Sequence, residues 1–115
     1  MILVAVLSTI SIHAHANILN CVSVENLTGL PVIDGVRFNP DSGYISFNLM
    51  SETPGGDAVA VRAYLSKVSK TIYEKQIDEL TSITVYSLGE ALYDVEYSEI
   101  SSDGDYTYLS KVRCQ

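Results

Sequence analysis

The residues able to do acid–base or nucleophilic chemistry are unevenly placed along this chain. Its two histidines are His13 and His15, and both fall inside an apolar leader, so residues 17–115 contain none. A Ser-His-Asp or Cys-His relay needs imidazole as its base, and a His-rich zinc site needs it as a ligand. Neither can be assembled from residues 17–115. The chain has no Gly-x-x-x-x-Gly-Lys phosphate loop and no Gly-x-Gly-x-x-Gly after a strand-like run. What remains is a pair of carboxylates, as in glycoside hydrolysis. With 14 acidic residues any pair can be nominated, so spacing selects none. The expectation is a protein that is not an enzyme, with no catalytic residue, metal or cofactor.

The acids are not scattered. Glu90, Asp94, Glu96, Glu99, Asp103 and Asp105 follow one another with no Lys or Arg between them. Upstream, Arg62, Lys67, Lys70 and Lys75 are interrupted by a single acid, Glu74. The formal net charge is −7. Nucleic acid and anionic membrane both require basic patches, so neither is expected as a partner. The six acids form a candidate binding face for a basic protein, with charge steering the encounter. The competing reading is a solvated sheet face kept soluble by its charge, with the basic stretch paired against it. Asp103-Gly104-Asp105 with Glu99 could offer oxygens to calcium, but the twelve-residue calcium loop is absent, and an acidic turn is the better reading.

The aromatic set is skewed: eight tyrosines and no tryptophan. Tyr93, Tyr97, Tyr106 and Tyr108 cluster near the C-terminal end. If their segments pair as a hairpin across Asp103-Gly104, the rings can meet on one face. That makes a candidate aromatic patch for a protein or sugar, or else a set of core rings with hydroxyls at the rim.

Residues 1–12, MILVAVLSTISI, are an apolar run too short to span a bilayer, which takes about 20 apolar residues. The segment His13-Ala14-His15-Ala16 places Ala at −3 and −1 of a cut after Ala16. Residues 1–16 therefore read as a secretory signal peptide without the usual leading Lys or Arg, and residues 17–115 as one domain, secreted or periplasmic. Lipidation at Cys21 fits poorly, because Asn20 precedes it. The two cysteines, Cys21 and Cys114, allow a single intramolecular pairing, expected to form in an oxidising compartment. No Cys-x-x-Cys argues for redox or metal chemistry instead. Asn26-Leu27-Thr28 is a glycosylation sequon, relevant only in a eukaryotic secretory route.

The elements that must position these residues show a period of two. Val22 and Val24, Val36 and Phe38, Ile45, Phe47 and Leu49, then Tyr93, Val95 and Tyr97 alternate with polar neighbours. Such alternation predicts antiparallel strands with one wet face. Breaks fall at Gly29-Leu30-Pro31, Asn39-Pro40-Asp41-Ser42-Gly43, Pro54-Gly55-Gly56, Gly89 and Asp103-Gly104. Residues 58–80 are ambiguous. Val61, Leu65, Val68 and Ile72 have helical spacing, yet Val59, Val61, Ala63 and Leu65 alternate, and β-branched residues are frequent. Two strands joined around Ser66–Lys70 fit better, and a helix would make the class α+β. The predicted fold is an all-β antiparallel sandwich or closed barrel of about seven or eight strands, its ends joined by a disulfide. The expected function is a non-catalytic binding module for another protein, including an inhibitor of a basic enzyme. The alternative is a structural or surface-assembly protein that associates through sheet edges.

Overall fold

The computed structural model describes residues 17–26, 33–50, 56–102 and 104–115. Its elements are strands throughout: β1 (Leu19–Asn26), β2 (Ile33–Phe38), β3 (Tyr44–Leu49), β4 (Val59–Tyr64), β5 (Ser66–Lys67), β6 (Ile72–Gln76), β7 (Thr81–Gly89), β8 (Leu92–Ser101) and β9 (Gly104–Cys114). The ambiguous 58–80 segment is β4, β5 and β6. Alternation there outweighs helical spacing: β3 gives Val59–Tyr64 a full antiparallel partner, and Leu65 and Tyr73 reach the core. Nine strands form rather than seven or eight, and β5 is only two residues long. The predicted signal, residues 1–16, lies outside the described residues. Among the described residues no helix is long and apolar enough to cross a membrane.

All neighbouring strands are antiparallel, in the order β4-β3-β2-β1-β9-β8-β7-β6-β5. The chain thus makes two meanders, β1–β4 and β5–β9, which the β1–β9 pairing joins into one sheet. Because β4 runs into β5 through Leu65 alone, the two edge strands are contiguous in sequence. The sheet is therefore a nearly closed barrel with its seam between β4 and β5.

A tight loop helps to fill that seam. Asn39 is buried, and its side-chain oxygen accepts hydrogen bonds from the Asp41 and Ser42 amides at 2.9 and 3.2 Å. This Asx geometry folds residues 39–43 back on themselves, and the Gly43 amide donates to the Asn39 carbonyl at 2.8 Å. The loop then reaches outward. Leu65 donates its amide to the Gly43 carbonyl at 2.8 Å, and the Tyr73 hydroxyl donates to the Pro40 carbonyl at 3.1 Å. One loop therefore touches both the β4–β5 corner and β6.

The core lies between the inner faces of the two meanders. Ile33, Val36, Phe38, Ile45 and Phe47 come from β2 and β3, and Tyr73, Ile83, Val85, Val95 and Val112 from β6 to β9. Phe38 is edge-on to both Tyr73 and Tyr93, at centroid distances of 5.0 and 5.2 Å. Phe47 meets Tyr97 the same way at 6.1 Å. Each buried ring or branched chain contributes about 1.5–3 kcal/mol of transfer energy.

At β1 the expected facing is reversed. Val22 and Val24 are 65% and 53% exposed, while Cys21 is buried and Ser23, itself exposed, pairs with buried Val112. The reason is covalent and polar. Cys21 pairs in register with Cys114 and is bonded to it, with the Cα atoms 4.0 Å apart. Ser23 Oγ lies 2.9 Å from the Oγ of fully buried Ser110, which also donates to Asn26 Oδ1 at 3.2 Å. The disulfide fixes Cys21 on the inner side of β1, and exposed Ser23 and Asn26 satisfy the hydroxyl of buried Ser110.

Candidate functional site

The six acids of the candidate binding face are not brought to one place. Asp94 and Glu96 share the outer face of β8, because Tyr93, Val95 and Tyr97 alternate inward. Glu99 has the opposite parity and pairs with Thr81 and Tyr106 at the end of the barrel. Asp105 pairs with Ile100 near the β8–β9 turn, Glu90 occupies the β7–β8 turn, and Asp103 lies outside the described residues. Among the described residues no group of three or more metal-ligating side chains converges.

What the fold does assemble is a smaller acidic cluster around Tyr86. On the outer face, β7 sets Thr84 between Glu74 of β6 and Glu96 of β8, and sets Tyr86 between Ile72 and Asp94. Burial raises the Tyr86 phenol above its ordinary pKa, and the charges of Glu96, Glu74 and Asp94 raise it further. Three carboxylates thus surround one hydroxyl. Lys111 is the base in the next position of the row, opposite both Asp94 and Glu25. Asp94 Oδ1 is buried and has no hydrogen-bond partner among the described residues.

Sequence reasoning did not include Glu74 and Tyr86 in this face. Glu74 stands among bases along the chain, and only the β6–β7–β8 register carries it to Glu96. The basic stretch is dispersed as well. Arg62 is on the outer face of β4, Lys70 is in the β5–β6 turn, and the Lys67 ammonium lies 5.5 Å from the Tyr73 ring centre.

The four tyrosines of the candidate aromatic patch divide between interior and rim. Tyr97 and Tyr108 pair across β8–β9 with rings stacked at 6.2 Å and 15°. Both pack with Tyr93 against the core. Burial raises the pKa of Tyr93 and Tyr97; Tyr73 adds to the first and Glu99 to the second. Tyr106 is 42% exposed.

The β7–β8 turn holds stored strain. Glu90 and Ala91 have φ of 55° and 66°, the paired positive values of a type I′ turn, without the Asn or Gly that such turns favour. The Cys114 amide donates to the Ala91 carbonyl at 2.9 Å, and Arg113 Nη1 donates to the Glu90 carbonyl at 3.5 Å. These contacts hold the turn against its preference. Glu90→Asn with Ala91→Gly is expected to raise stability by about 1–2 kcal/mol, read as a higher urea midpoint at unchanged slope. An unchanged midpoint would show that the turn is unstrained.

Comparison with protein-family models, with curated proteins and with solved structures finds no match.

Proposed function

We propose that this protein is an exported, non-catalytic domain that binds a basic protein through the outer face of β6, β7 and β8. Inhibition of a basic enzyme is one form such binding takes. The observation that carries the reading is the strand register that sets Glu74, Glu96 and Asp94 on one outer face around Thr84 and Tyr86. The exposed Glu74 and half-buried Glu96 carboxylates offer an arriving Lys or Arg charge-assisted bonds, with the charge of Asp94 behind them. Tyr86 adds a large, stiff contact surface at low entropy cost. The Cys21–Cys114 disulfide is consistent with an oxidising compartment. Absence of His from residues 17–115 supports the non-catalytic part.

A second reading is assembly through β4, a six-residue edge strand without proline whose Val59 and Tyr64 are exposed. One experiment separates the two. The immobilised protein is challenged with basic secreted proteins at low and at high salt. The expected result is retention at low salt, release at high salt, and at least tenfold weaker retention by the triple variant Glu74→Gln, Asp94→Asn, Glu96→Gln. Retention of the chain by itself, insensitive to salt and to the triple variant, would favour the β4 edge. Failure to retain any basic protein would overturn the acidic-face reading.

A further inference from the structure

The opposite side of the barrel carries a second surface of different chemistry. On β3, Ser46 pairs with Arg37 of β2 on one side and with Arg62 of β4 on the other. Strand spacing places the two arginine Cα atoms about 10 Å apart across Ser46. Both side chains are exposed, and among the described residues no hydrogen bond or ion pair engages either guanidinium. They line a groove of about 190 Å³ together with Gly35, Ser46, Asn48 and Ala60. A register shift between Asp34 and Arg37 puts Gly35 at φ +62°. A side chain there would press on the Asn48 amide nitrogen at 3.3 Å, so the glycine keeps that wall open.

The adjacent row on the same face is aromatic. Tyr44 pairs with Tyr64, their ring centres lie 5.2 Å apart at a tilt of 59°, and Tyr64 is 67% exposed. Arg62 and Tyr64 are two residues apart on one strand, so both point outward together. Two of the three arginines of a chain with net charge −7 are thus concentrated beside an aromatic pair, half-buried Tyr44 and exposed Tyr64. The acid flanking this face, Asp34, pairs with Asn48 in the next row.

We infer that this groove, formed by Arg37, Ser46, Asn48 and Arg62 beside Tyr44 and Tyr64, binds a carboxylate-bearing saccharide. Planar guanidinium forks on two sides of a hydroxyl match a carboxylate, which can accept paired hydrogen bonds. Ser46 and Asn48 supply both donors and acceptors, as sugar hydroxyls require. The tyrosine faces supply flat apolar surface for the C–H side of a sugar ring. A run of acidic peptide side chains would use the arginines and leave the tyrosines uncovered. This inference is independent of the acidic cluster, which lies on the outer face of β6–β8.

Calorimetric titration of the full oxidised chain at low salt tests it, with trigalacturonate as the probe. Neutral galactotriose and a triglutamate peptide are the comparators. Trigalacturonate is expected to bind at least tenfold more tightly than either. Arg37→Gln and Arg62→Gln should each weaken it about tenfold, and Tyr64→Ala about fivefold. All three positions are exposed, and an unchanged thermal midpoint shows that each variant is folded. No binding of trigalacturonate at millimolar concentration, or folded arginine variants that bind like the parent, overturns the site. Triglutamate binding as tightly, with Tyr64→Ala without effect, overturns the saccharide assignment in favour of an acidic peptide.

Discussion

Replacing Cys21 and Cys114 together by alanine is expected to lower stability by about 4–5 kcal/mol, a fall of about 20–30 °C in Tm. The bond closes a loop with a sequence separation of 93, so it restricts nearly every unfolded conformation of the domain. Its native-state role is equally large. Among the described residues β1–β9 is the one strand pairing between the two meanders, and the disulfide is the first rung of that pairing. Without it, exposed Val22 and Val24 compete for the inward position that Cys21 now holds. A slip of one residue would turn the whole strand over. Urea unfolding of the oxidised protein and the double variant, followed by far-ultraviolet circular dichroism, measures the difference. A loss below about 1.5 kcal/mol would show that backbone pairing alone holds the junction.

Gly43→Ala is expected to cost about 3–4 kcal/mol, well above an ordinary glycine replacement. Gly43 has φ +81°, and a Cβ there would lie 2.0 Å from the Leu65 carbonyl oxygen and 3.0 Å from its carbonyl carbon. Both obstacles are backbone and cannot rotate aside. The Leu65 residue that would be displaced donates its amide to Gly43 and stands at the corner where β4 passes into β5. Damage at this point opens the seam of the barrel. Gly89→Ala is the matched control: φ is +86°, but nothing lies within 4 Å of the added carbon. Its cost should be about 1 kcal/mol, from the backbone conformation alone. Equal midpoints for the two variants would mean that the seam tolerates displacement.

Much of this architecture is legible in the alternation of side chains. Ile45, Phe47 and Leu49, or Tyr93, Val95 and Tyr97, can be placed on an inner face because a strand offers only two sides. The Cys21–Cys114 pairing follows from there being two cysteines. The reversed facing of β1 was not legible, because Val22 and Val24 alternate as well as any core pair. Only the partner strand shows that Cys114, Val112 and Ser110 occupy the inside. The seam was hidden for a similar reason. Asn39–Gly43 announces a turn, but its hydrogen bonds to Leu65 and Tyr73 are contacts distant in sequence.

The candidate site separates along the same line. Clustering in sequence put six acids together, whereas strand parity divides them. Glu99 leaves the face of Asp94 and Glu96 because it is an odd number of residues away. Glu74 joins that face because hairpin register brings β6 and β8 to opposite sides of Thr84. The tyrosines follow the same rule, with Tyr93, Tyr97 and Tyr108 packed against the core and Tyr86, outside the expected patch, on the outer surface.

We propose that a basic protein docks on the outer face of β6–β8. Backbone amide chemical-shift mapping, with the basic protein retained at low salt as titrant, tests it most directly. Shifts are expected to centre on Glu74, Thr84, Tyr86, Asp94 and Glu96 and to vanish at high salt. Shifts centred on the β4 edge or on the Arg37–Arg62 groove, with the Tyr86 surroundings unmoved, would contradict it.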